Sequence, residues 1–175
     1  MSRARRIALL GMLVGVSLVL FLVEALLPQP LPFLKIGLAN TVTLFVLLTM
    51  GVREAVAVTV LRVAAASLFA GTLLGPAFAL SMAGGLSAAL GMGAAARFGV
   101  PPLGIVGVSV VGAVCHNLAQ LGVVDALYAG SGAAWGLLPA ALLISAGAGL
   151  ATGLAARFAL VKFGRHVEVL RGATA

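Results

Sequence analysis

Acidic residues are nearly absent from this sequence: Asp and Glu number 4 against 11 Lys and Arg, and charged residues make up 9% of the chain. A soluble domain carries about 25%. No two acids stand at catalytic spacing, whereas chemistry on a magnesium-bound diphosphate usually needs several clustered carboxylates. The lone cysteine, Cys115, lies in an apolar run. It excludes an internal disulfide and a Cys-cluster metal site, and it reads as a small core residue. There is no P-loop, no GxGxxG opening after a strand and no Ser/His/Asp set. An ATPase or a self-sufficient enzyme is therefore not expected, and no catalytic residue, cofactor or metal is assigned.

Apolar residues are what the chain has in plenty: 62% of its 175 residues are hydrophobic, and mean hydropathy is +1.23. This composition implies an all-α integral membrane protein, a single transmembrane domain over 1–175 long enough for about six spans of about 20 residues. The 23 glycines and many alanines suit close helix packing in lipid. A net charge of +7 raises the question of nucleic acid, but the basic residues stand at helix ends and form no single patch, so the partner is the bilayer. The opening run MSRARRIALLGMLVGVSLVLFLVEALLP is too long for a signal-peptide h-region, and no small-x-small site follows it. It reads as a first transmembrane helix that stays.

Hydropathy and helix breakers predict spans at about 7–27, 37–51, 53–72, 76–96, 103–124 and 135–160, with 161–175 as a cytoplasmic tail. With the N-terminus inside, Arg3, Arg5, Arg6, Arg53, Arg97, Arg157, Lys162, Arg165 and Arg171 fall on the cytoplasmic side and Lys35 falls outside. That asymmetry predicts both termini in the cytoplasm and a multi-pass protein of the cell membrane. Tyr128 and Trp135 then fall at the outer interface.

Four groups of residues stand out. The segment PQPLPFLKIGLAN (28–40) is stiffened by alternate prolines. It is either a tie between helices, with Lys35 snorkelling, or the rim of an outward-facing cavity where Lys35 meets an anion beside Asn40. Arg62 lies near mid-bilayer, with Thr59 and Ala66 on its face. A charge at that depth costs roughly 3 kcal/mol on insertion scales. Either it pairs structurally with Glu24 or Asp125, or its planar fork receives a carboxylate or phosphate. In the fifth span Ser109, Gly112, His116 and Gln120 share a helix face, with Asn117 alongside. Such a stripe must be satisfied inside the protein, by interhelical hydrogen bonds or by a polar ligand. Finally, Ala4 and Ala8, and Gly11 and Gly15, are spaced by four, as are Gly84, Ala88 and Met92. Small-residue faces of this kind pack helices within the chain or dock another membrane protein.

The segments PFLKIGLAN, RVAAASLFAGT, FALSMAGGLSAALGM and GVSVVGAVCHNLAQL, in that order, resemble the Gx transporter family, often labelled heptaprenyl diphosphate synthase component I. The resemblance runs over about 7–160, and KIGLAN and GAVxHNLxQ are its most specific blocks. That family is grouped with the substrate-binding S-components of energy-coupling-factor (ECF) vitamin transporters. The resemblance implies a six-transmembrane-helix bundle with an outward-facing site, docking onto a transmembrane coupling subunit driven by ATPases. It also implies a small-residue docking face on the first helix, where Ala4 and Ala8 match the spacing and Gly11 and Gly15 repeat it. The synthase label does not fit the missing acidic motif.

The leading expectation is a binding subunit for a small anionic or polar metabolite, such as a flavin or another vitamin-like compound. Lys35 and Arg62 would supply charge, and Asn40, His116, Asn117 and Gln120 hydrogen bonds. The alternative is a non-catalytic membrane subunit associated with isoprenoid diphosphate or quinone biosynthesis, its polar stripe packed shut. A third reading makes His116 a general base acting on a lipid, but no orienting partner is evident. A solvent-accessible cavity around Arg62 would separate the first two.

Overall fold

The structure is a computed structural model, and it describes residues 3–26, 37–98 and 103–172. Their regular elements are all helical: α1 (Arg3–Leu26), α2 (Leu38–Thr49), α3 (Val52–Phe69), α4 (Pro76–Phe98), α5 (Gly104–Val124) and α6 (Leu138–Gly172). A π-helical turn (Asp125–Ala129) and a 3-10 turn (Ala133–Leu137) join α5 to α6. Among the described residues four helical stretches are long and apolar enough to cross a membrane: Arg3–Glu24, Pro76–Phe98, Gly104–Tyr128 and Ala133–Phe163. The protein is an all-α membrane protein.

The other two helices, α2 and α3, lie where spans 37–51 and 53–72 were expected. α2 has 12 residues, only about 18 Å of rise, which is well short of a hydrocarbon core of about 30 Å. α3 has 18 residues and carries Arg53, Glu54 and Arg62. α6 runs past the anticipated span end at 160 and stays helical to Gly172.

Packing explains α2. The helices form a ring in the order α1, α3, α4, α5, α6, closed by α2, which meets α1 and α6 and also reaches α3 and α4. All residues of α2 except Leu38, Thr41 and Leu48 are buried. A helix that is apolar all round belongs in an interior. Here its Val42, Leu44, Val46 and Leu47 form the core with Ala55 and Val58 of α3, Ala88 and Met92 of α4, Val108 of α5 and Ala156 of α6.

One end of the bundle gathers the basic residues. There Arg6 of α1 pairs with the buried Glu54 of α3. At the far end the Asp125 carboxylate accepts a hydrogen bond from the Ala134 N–H at 3.3 Å. Tyr128 and Trp135 are exposed there.

α5 and α6 pack backbone against backbone. A Cβ added at Gly149 would stand 2.5 Å from the Val110 Cα, and one at Gly153 would stand 2.9 Å from the Val106 Cα. These are backbone atoms and cannot move aside, so the GxxxG spacing of 149–153 sets the approach. Ser145, Ala148, Thr152 and Ala156 bury the rest of this seam. Gly149→Ala should therefore lower thermal stability by about 1–3 kcal/mol, the usual cost of overpacking. Gly147→Ala, where no atom lies within 4 Å of the added Cβ, should not lower it and should raise it by up to about 1 kcal/mol. Thermal unfolding of both variants in the same detergent checks this.

Candidate functional site

The polar residues inside the bundle divide by chemistry. Hydroxyls in a helix can return their proton to the carbonyl four residues back. Thr59 does so to Ala55 at 2.9 Å, Ser145 to Ala141 at 2.6 Å and Thr152 to Ala148 at 2.8 Å. A hydroxyl has one proton and two lone pairs, so each of these oxygens remains open as an acceptor. Thr43 of α2 reaches Thr59 at 3.3 Å, Ser109 of α5 reaches Thr152 at 2.8 Å, and the Asn117 amide donates to Ser145 at 2.8 Å. The α5 stripe is thus bound in part to α6, through two hydroxyls on which no expectation had been placed.

Amides, imidazole and guanidinium have no such internal outlet. Asn40 of α2 meets His116 Nδ1 at 3.4 Å. With the Asn40 amide as donor, Nδ1 accepts and the ring proton sits on Nε2, a tautomer inferred from the hydrogen bond. The ring lies on Gly84 of α4, where an added Cβ would stand 2.8 Å from Nε2. The neighbouring Gly85 takes the other side: a Cβ there would meet Thr59 Cγ2 at 2.7 Å and Arg62 Nη2 at 3.5 Å. Two adjacent glycines therefore let α4 pass between His116 and Arg62.

Arg62 is 3% exposed and Glu24 2% exposed. The Arg62 guanidinium stands over the Phe21 ring, 5.6 Å from its centre, and lies in the field of the Glu24 carboxylate. Glu24 accepts the Gly37 N–H at the entry to α2. Of the two acids expected as partners of Arg62, Glu24 is the one whose field reaches the guanidinium; Asp125 instead binds backbone at the far end.

Several buried polar atoms remain without a hydrogen-bond partner among the described residues: Arg62 Nε and Nη2, both amide heavy atoms of Gln120, and Asn117 Oδ1. Each such atom costs about 1–3 kcal/mol.

A cavity of ≈ 10 Å³ lies among Gly37, Asn40, Ser109, His116, Asn117 and Thr152, with Met92, Gly112 and Ala113 completing the wall. That is about room for one water. Arg62 and Gln120 are absent from its described lining. The void therefore opens beside His116 and not around Arg62. The two are joined through Gly37, which lines the void and donates to Glu24. In this conformation it is far below the roughly 300–1,000 Å³ of a small-molecule pocket.

Asn40, His116 and Asn117 thus come together, Arg62 lies across the Gly84–Gly85 pair, and Gln120 is fully buried beyond them. Lys35 falls outside the described residues. Ala4, Ala8, Gly11 and Gly15 all lie on the exposed face of α1, with open space at both glycines. Sequence reasoning passed over Ser145 and Thr152, seven residues apart on α6. Their spacing against Ser109 and Asn117 was the available signal.

The model of the family described as heptaprenyl diphosphate synthase component I matches residues 13–159. The chain belongs to this family. No curated protein and no solved structure matches it. The component I match begins inside α1 and ends inside α6. It takes in Glu24, Asn40, Arg62, His116, Asn117 and Gln120, and leaves Ala4, Ala8 and Gly11 outside.

Removing one member of a buried charge pair leaves the other uncompensated, at a cost of about 3–5 kcal/mol. Glu24→Ala should destabilise the protein by that amount. The double change Glu24→Gln with Arg62→Met, which removes both charges and keeps an acceptor for Gly37, should recover most of it. Unfolding of the two variants and the parent provides the comparison.

Proposed function

We propose that the protein is a membrane-embedded binding subunit for a small anionic or polar metabolite, of vitamin-like size, working with a partner that supplies energy. The observation that carries this reading is the set of buried polar atoms left without a hydrogen-bond partner among the described residues: Nε and Nη2 of Arg62, the Gln120 amide and the Asn117 carbonyl oxygen. A carboxylate or phosphate would accept from Arg62, and polar edges of the ligand would meet Gln120, Asn117 and His116. A ligand larger than water enters only if the helices part, so the compact state described above is the closed one. Lys35 adds charge at the entrance.

On this reading both termini lie in the cytoplasm of a cell-membrane protein and the ligand arrives from outside, as the one-sided distribution of basic residues argues. The exposed Ala4, Ala8, Gly11 and Gly15 face receives a transmembrane coupling subunit with its ATPases. The chain is not itself an enzyme.

A second reading has its own support. The cavity is of water size, and the family's name speaks of one component of a heptaprenyl diphosphate synthase. In that case the chain is a non-catalytic membrane subunit beside an isoprenoid diphosphate or quinone enzyme, and the Arg62–Glu24 pair is structural.

Native mass spectrometry of protein gently extracted from its own membrane distinguishes the readings. Binding predicts a co-purified metabolite, lost in Arg62→Gln and weakened about tenfold in His116→Ala, both folded. An empty chain carrying a stoichiometric synthase partner would overturn the transport reading in favour of the second.

A further inference from the structure

The face opposite α4 carries a feature that the proposed function does not use. α1 packs on α2 and α3, and between α1 and α6 it leaves a groove of ≈ 360 Å³ floored by α2. Leu9, Leu13, Val16 and Leu20 form one wall, Val42 and Phe45 the floor, and Ala159 and Phe163 the other wall. No polar atom is exposed along it, so no polar metabolite would settle there.

Its length and its charged end identify an occupant. From Leu9 to Leu20 the helix rises about 16 Å, close to half of a hydrocarbon core of about 30 Å. The groove is thus one leaflet deep, and it opens at the basic end of the bundle. There Lys162 holds its ammonium 6.0 Å from the centre of the Phe163 ring, which lines the groove, and 5.6 Å from that of Phe158. These cation–π contacts keep the charge beside the Phe163 end of the groove. Arg5 stands one turn before Leu9 on the same face of α1. An apolar channel of one leaflet's depth, ending between two cations, is complementary to an acyl chain with a phosphate at its head.

We propose that this groove holds one anionic phospholipid from the leaflet at the basic end of the bundle, its acyl chain between α1 and α6 and its phosphate at Lys162. The lipid takes the place of close packing between α1 and α6, and so couples α1 to the rest of the bundle. The proposal is independent of any ligand in the polar layer.

The test uses the full chain reconstituted in nanodiscs of phosphatidylglycerol or of phosphatidylcholine, released into mild detergent and measured by native mass spectrometry. The expected result is one retained phosphatidylglycerol per chain, at least tenfold preferred over phosphatidylcholine. Lys162→Glu, at an exposed position, should abolish the preference. Leu13→Trp, which fills the groove, should abolish retention, while Leu143→Trp on the exposed face of α6 should not. If Leu13→Trp fails to fold, Lys162→Glu alone decides. Equal retention of both lipids, or a preference unchanged in Lys162→Glu, overturns the proposal. So does a parent chain that retains no lipid, whether it is found as a monomer or as a dimer.

Discussion

A guanidinium cannot give up its charge and cannot turn its five donors back on its own helix. Arg62 therefore dictates what surrounds it. α1 must bring Glu24 to balance the charge and Phe21 to cover its face. α4 presents Gly85 beside it, where an added Cβ would meet the Thr59 methyl at 2.7 Å. The start of α2 must in turn satisfy Glu24, which it does with the Gly37 N–H. α1 and the entry to α2 thus answer to one side chain on α3. Replacing Arg62 and Glu24 together by uncharged residues would remove these demands, since a buried ion pair is weak evidence for stability in itself.

The hydroxyls show the opposite economy. Thr59, Ser145 and Thr152 are satisfied within their own helices before any neighbour arrives. They then offer a lone pair to the helix alongside, which makes them inexpensive joints in an apolar setting. α5 and α6 are joined twice in this way, at Ser109–Thr152 and Asn117–Ser145. Gly149 and Gly153 between them allow the two backbones to touch. Small residues and hydroxyls thus do in lipid what large apolar side chains do in water.

The sequence made the rare features legible and hid the common ones. Arg62 and Glu24 stood out because charge is scarce, and the α5 stripe stood out because His116, Asn117 and Gln120 interrupt an apolar run at helical spacing. The membrane class and the helical content follow from composition. The role of α2 does not. An apolar segment reads alike whether lipid or protein surrounds it, and only the packing of five neighbours makes α2 the centre. Ser145 and Thr152 were lost for a related reason, since hydroxyls among Gly and Ala give little contrast in hydropathy. The position of the cavity depends on residues from four helices and the entry to α2, and no local pattern encodes that.

The polar joints also sort the bundle into two bodies. Arg6–Glu54, Glu24–Gly37 and Thr43–Thr59 tie α1, α2 and α3 to one another, while α5 and α6 are tied as described and α4 is packed on α5. Asn40–His116, at 3.4 Å, spans the two groups and lies on the wall of the cavity. A shear of one trio of helices past the other would lengthen the Asn40–His116 contact first and enlarge the void beside it. The tight seam at Gly149 and Gly153 would move as a unit.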